Sequence, residues 1–208
     1  AGTLPVILSA PHGGSLRPDS LETRPDASTG SDVNTQELAL AVSRALYDRT
    51  GRWPHLVMLH LHRHKVEVNT SDLDSATSGQ AEAVAAFDEY HGLIDAAAAS
   101  VTVQYGRGLY LDLHGLASSR THLELGYLLS GSALVVDDDR LDHPGYAVGS
   151  SVRGIERRHR ALGEPLAFSE LIRGPRSMGG LLASEGYPVV PAPDRLWPVD
   201  LDGEPRGY

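Results

Sequence analysis

The apolar residues 4–10 stop abruptly at Pro11, His12 and two glycines, and the pattern then changes to apolar positions four apart, Leu38, Val42 and Leu46. A short buried strand followed by a helix with one apolar face is the opening of an α/β chain. The alternation continues. Residues 55–61 (HLVMLHL) predict a second strand, residues 80–101 an alanine-rich amphipathic helix, and residues 108–113 (GLYLDL) a third strand. Two further apolar segments, 123–129 and 188–191, flank a helix expected over 148–162. Strands alternating with helices predict a mostly parallel sheet covered on both faces, with sites beyond the carboxyl ends of the strands.

The 208 residues suffice for one sizeable core, and no internal repeat or linker divides them, so a single domain over 1–208 is expected. Residues 18–30, polar and turn-rich, read as an exposed active-site loop. A formal charge of −9 excludes the usual nucleic-acid binder, which carries a basic face. No run approaches the roughly 18 apolar residues of a membrane span. The expectation is a soluble chain that makes no membrane contact, cytoplasmic or secreted after cleavage of a leader, with its oligomeric state left open. Without cysteine, any metal site or nucleophile must come from His, Asp, Glu, Ser or Thr.

His12 and His114 both fall just past strand ends, each followed by glycine, where a backbone can turn and approach a ligand closely. A hydrolytic zinc site commonly uses three protein ligands from His and Asp/Glu and leaves a fourth position to water. Asp32, just before the helix expected from about Asn34, can complete such a set or can serve as the helix N-cap. Glu22 is the alternative third ligand. The densest polar cluster, HLHRHKVEVNTSD at 60–72, places His60, His62 and His64 at alternate positions, as a metal group or a solvated strand edge. Arg63 and Lys65 share the opposite face, where they could hold a substrate carboxylate. The run VVDDDRLD at 135–142 lacks the spacing of a calcium loop and reads as a solvated turn. His91, beside Tyr90 in a helical pattern, reads as packing or surface.

The segments SAPHGGSLRPDS, SDVNTQELA, HRHKVEVN, YLDLHG, LELGYLLSG and SMGGLLASEGYPVVPAP, in this order over nearly the whole chain, resemble the N-formylglutamate amidohydrolase family in its broad sense. The resemblance implies a three-layer α/β/α fold with a mostly parallel mixed sheet, phosphorylase/hydrolase-like and similar to the zinc carboxypeptidases. It also implies cleavage of an amide bond by zinc-activated water. The histidine of the family's P-H-x-G motif falls on His12 and that of its D-x-H motif on His114. The carboxylate preceding the T-x-E-L helix start falls on Asp32, which moves it from cap to ligand. Arg63 and Asn69 match the arginine and asparagine of the R-x-x-x-D-x-N-R stretch and would contact the substrate carboxylate, joined by Lys65. Departures are Glu67 for that stretch's aspartate and Thr70 for its closing arginine.

The resemblance further implies a base glutamate on a strand beyond Tyr208, for which Glu124 in LELGY is the internal candidate. The expected activity is hydrolysis of an N-acyl amino acid or a γ-glutamyl-type, peptide-like carboxylate substrate, with Zn2+ as cofactor. Two rivals stand beside it. A non-catalytic metal- or ligand-binding homologue would lack the base, and a serine esterase would be indifferent to chelators, although the chain has no G-x-S-x-G elbow.

Overall fold

The structure, a computed structural model, describes residues 2–24, 30–115 and 121–198. Residues 25–29 of the expected active-site loop lie outside the described residues, as does the stretch 199–208. The chain is an α/β protein that divides into two compact units, residues 1–118 and 119–208.

In the first unit the apolar run forms strand β1, Val6–Ala10, at the centre of a parallel sheet. Strands β2 (His55–Met58) and β3 (Leu109–Asp112) flank it, with Ile7 opposite His55 and Ser9 opposite Asp112. A strand with two neighbours has no free edge, and β1 is accordingly buried from Ile7 to Ala10.

Helix α1, Thr35–Thr50, ends at Gly51, whose left-handed conformation (φ 69°) lets its N–H reach the Tyr47 carbonyl at 2.7 Å. The row it buries is Thr35, Ala39 and Ser43, whereas Leu38 is exposed and Val42 and Leu46 are only partly covered. The stripe expected from Leu38, Val42 and Leu46 is thus displaced. Small residues four apart leave a flat helix face, and the larger side chains lie beside that contact instead of within it.

Beyond the four-residue helix α2, Leu73–Ala76, the long helix α3 runs over Ala81–Tyr105. It buries Ala83, Tyr90, Ala97 and Val101, spaced by whole pairs of turns and then by one. Ala97 and Val101 pack on Ile7, while Ala83 and Tyr90 join Val57, Leu59, Val66 and Val68 in a second cluster. Strand β2 stops at Met58, so His60, His62 and His64 do not share a strand face. His62 turns inward, its Nε2 2.8 Å from Arg17 Nη2, and its Nδ1 accepts the His64 N–H at 3.0 Å.

The second unit pairs β4, Leu123–Glu124, in parallel with β5, Val189–Val190. Between them come helices α4 (Gly131–Leu134), α5 (Asp138–Leu141), α6 (Pro144–Gly149), α7 (Arg153–Ala161), α8 (Phe168–Arg173) and α9 (Met178–Ser184). Their core includes Tyr127, Leu134, Leu141, Phe168 and Ile172. The helix expected over 148–162 is broken between α6 and α7. Ser150 caps the end of α6, its N–H donating to the Ala147 carbonyl and its Oγ to the Tyr127 carbonyl at 3.0 Å. The Ser151 N–H donates to that same Tyr127 carbonyl at 3.0 Å, which takes Ser151 out of the helical ladder.

The acidic run at 137–142 is structural, not a mere solvated turn. Asp137 caps α5, Asp138 pairs with the buried Arg173, and Asp142 accepts the Ser169 N–H at 2.7 Å. No helix among the described residues is long and apolar enough to cross a membrane.

Candidate metal centre

Pro11 ends β1, and His12 follows with 2% of its surface exposed. Gly14 is required by proximity, because a Cβ there would fall on the backbone of Leu59 and His60. His114 stands two residues beyond β3, and Gly115 lies so close to Asp32 that its own Cβ would come within 3.0 Å of the Asp32 Cα and Cβ. The turn after β1 and the turn after β3 thereby bring both histidines to Asp32.

Asp32 does not cap α1. The N-cap is Asn34, in the left-handed region (φ 66°), and it makes no side-chain cap bond. The Asp32 backbone is held to the β1 turn, its N–H donating to the His12 carbonyl at 3.0 Å, while its carbonyl accepts from Thr35 Oγ1 at 2.9 Å. This frees the carboxylate. Asp32 Oδ2 lies 3.2 Å from His114 Nδ1 and 3.5 Å from His12 Nδ1, and it accepts the Gly115 N–H at 2.8 Å. The histidine rings meet edge to face with centroids 5.0 Å apart.

His12, Asp32 and His114 each offer a ligand atom within 4.8 Å of the others, and the three can hold a metal ion. They form the one such group among the described residues. The histidines 60, 62 and 64 do not form a second. His12 and Asp32 are buried, whereas the His114 side chain is 35% exposed, so the centre has a closed side and an open one.

Behind each histidine stands a further carboxylate. His12 Nε2 hydrogen-bonds Glu67 Oε1, and His114 Nε2 lies 3.0 Å from Asp112 Oδ2. Glu67 is buried and held from every side. Its Oε1 also accepts the Asn69 N–H at 3.0 Å, and its Oε2 faces Arg63 Nε at 3.0 Å, Arg63 Nη2 at 2.5 Å and Arg24 Nη2 at 3.5 Å. Arg24, itself buried, donates to the carbonyls of Arg63 at 2.6 Å and Ser75 at 2.8 Å.

The electrostatics follow from these contacts. Burial opposes the charge on Asp32, but hydrogen bonds from His114, His12 and Gly115 outweigh it and hold the carboxyl far below its usual range. Burial likewise opposes Glu67, yet His12, the Asn69 N–H and Arg63 bring it down to about 2. His114 is pushed up to about 9 by its bonds to Asp112 and Asp32, against burial. For His12 burial pulls down and the Asp32 and Glu67 bonds prevail, so its value is raised. At neutral pH the carboxylates are therefore ionised, and an ionised carboxylate only accepts, so both Nε2 atoms carry protons.

Of the remaining sequence candidates, Arg63 spends donors on Glu67, and Asn69 contributes its backbone N–H to the same carboxylate. Lys65 Nζ donates to the Leu21 carbonyl at 2.5 Å. Glu124 belongs to β4 in the second unit, with Oε1 3.2 Å from His122 Nε2. Glu22 is placed by its backbone N–H on Gln80 and is not among the grouped ligands.

Sequence reasoning assigned no place in the centre to Asp112, Ser9 or Arg24. For Asp112 a signal existed, since Asp and His two apart at a strand end point to the same side. Arg24, in a loop, leaves no such trace. Compared with family models, curated proteins and solved structures, the chain finds no match.

Proposed function

We propose that the chain is a zinc-dependent amidohydrolase acting on an N-acyl amino acid or a γ-glutamyl-type, carboxylate-bearing amide, with His12, Asp32 and His114 as metal ligands. One observation carries the metal part. A tetrahedral ion with bonds of about 2.0–2.1 Å requires ligand atoms about 3.3 Å apart. The separations of 3.2 and 3.5 Å from Asp32 Oδ2 to the two Nδ1 atoms match that edge. The donor set, two imidazoles and a carboxylate with a carboxylate behind each ring, suits zinc and leaves a fourth position free.

Bound zinc would polarise a scissile carbonyl and acidify a water molecule. The residues of the chain do the rest. Asp32 brings negative charge to the centre, and its bond to the Gly115 N–H keeps it in place. The exposed flank of His114 is the side from which a substrate can approach. Arg63 and Lys65 are the cations that the sequence assigns to the substrate carboxylate, with Asn69 beside them.

Moving the water proton requires a general base. Asp32 is assigned to the metal, while Glu67 and Asp112 spend their oxygens on the histidines and their supports. The assignment of Glu124 as base rests on the resemblance of its sequence motif. The resemblance of the ordered motifs supplies the amide specificity in the same way.

The test is a turnover screen on N-acyl amino acids and γ-glutamyl peptides with and without chelator. Chelator-sensitive hydrolysis restored by zinc is the expected result. Zinc binding without turnover of any amide would instead make the chain a binding protein, and hydrolysis indifferent to chelator would refute the mechanism.

A further inference from the structure

We propose that Asp112, held by Ser9, is a positioning residue that turns His114 so that Nδ1, and not Nε2, faces the metal. This rests on the metal reading above and extends it to residues that touch neither ion nor substrate.

The register of the sheet creates the arrangement. Ser9 of β1 is the Cα partner of Asp112 of β3, and Ile7 is the partner of Tyr110, so the side chains of Ser9, Tyr110 and Asp112 emerge on one face. Ser9, fully buried, hydrogen-bonds Asp112 Oδ1, and its Oγ lies 2.8 Å from Tyr110 Oη. A hydroxyl has one proton and two lone pairs. Because an ionised Asp112 can only accept, Ser9 gives its proton to Oδ1 and receives that of Tyr110. With Oδ1 fixed, Oδ2 lies 3.0 Å from His114 Nε2.

The nitrogen 3.2 Å from Asp32 is Nδ1, and once an ion displaces its proton, an imidazole whose Nε2–H is bound to a carboxylate presents the Nδ1 lone pair to the metal. His12 obeys the same rule, with Glu67 at Nε2 and Asp32 on the Nδ1 side. His12 is locked by burial, however, whereas His114 has a third of its side chain in the open. His114 is therefore the ring that most needs an anchor. Replacing Ser9 alone would leave Asp112 free to rotate, which separates the anchor from the residue it holds.

The experiment compares the full chain with Asp112→Ala, Asp112→Asn and Ser9→Ala. Zinc affinity is measured by competition with a chromophoric chelator, the cobalt(II) visible spectrum reports ligand geometry, and long-range proton–nitrogen NMR of the zinc-loaded protein reports the His114 tautomer. Asp112→Ala should lose roughly 10- to 100-fold in zinc affinity and change the cobalt spectrum. Asp112→Asn, whose amide oxygen still accepts, should recover part of both. Ser9→Ala should fall between the wild type and Asp112→Ala, and the wild type should show His114 with Nδ1 on the metal and a proton on Nε2.

The metal-free variants are melted alongside. Loss of affinity in Asp112→Ala with an unaltered cobalt spectrum would mean a structural role only and would overturn the proposal, as would Nε2 ligation of His114. If the wild type binds no zinc or cobalt, the metal reading itself fails. If the wild type binds and Asp112→Ala binds equally, only the positioning role fails.

Discussion

Glu67 and Asp32 take opposite nitrogens of one ring, Glu67 Oε1 at His12 Nε2 and Asp32 Oδ2 3.5 Å from His12 Nδ1. His12 is thus pinned on its buried side by a carboxylate that two arginines hold in turn. Removing Glu67 would take the acceptor from the partly buried Arg63 guanidinium and from the buried His12 Nε2–H, and would leave Arg24 with carbonyl partners but no counter-charge. Glu67→Ala should cost about 3–5 kcal/mol of stability, and Glu67→Gln less, read from urea unfolding of the metal-free protein. A loss below about 1 kcal/mol for the alanine variant would show that the cluster is solvated.

The two ends of the pH scale should act on different residues. Glu67 has a folded value near 2 against an ordinary 4.5, so its contribution is present above about 4.5 and lost as pH falls through about 2. His114, raised from 6.5 to about 9, contributes stability that is complete below 6.5 and lost as pH rises through about 9. Metal binding must displace the His114 proton, so zinc affinity should climb between 6.5 and 9 while the Tm of the metal-free protein declines. Calorimetry in buffers of differing ionisation enthalpy would detect the released proton, and an affinity flat over that window would contradict the assignment.

Arg63→Ala should have two effects. Its contact with a substrate carboxylate, expected from the sequence, predicts a raised KM. Its bonds to Glu67 predict a zinc affinity lowered roughly 10-fold through His12. Measuring both in one variant separates them, and unchanged zinc affinity would remove the second.

Gly14→Ala tests the turn. The added methyl would meet the Leu59 carbonyl and the backbone of His60, neither of which can swing aside as a side chain would. A cost of about 1–3 kcal/mol is expected, measured as a fall in Tm. An unaltered Tm would mean that the turn after β1 has room to spare.

His12 and His114 were legible in the sequence because each ends an apolar run at a glycine, and an apolar run that stops short is a strand end. Asp32 was legible as a candidate but not as a choice, since an aspartate just before an expected helix start serves equally as a cap. The decision lay in Gly115, which lets a distant turn approach Asp32. The helix faces were harder to read. Apolarity marked Leu38, Val42 and Leu46, but the row Thr35, Ala39 and Ser43 is buried because small size governs that contact.

Likewise, no local pattern announces that Ser9 meets Asp112, because their meeting is set by the register of two strands a hundred residues apart. The histidines at 60, 62 and 64 misled for the opposite reason. Their period of two is that of a strand, but β2 has already ended at Met58.

The central claim is that His12, Asp32 and His114 bind one zinc ion. Elemental analysis after dialysis against zinc and removal of excess should find about one equivalent in the wild type. Asp32→Ala and His114→Ala should each retain almost none while keeping their circular dichroism spectra. A wild type without bound metal, or a His114→Ala variant with a full equivalent, would contradict the account.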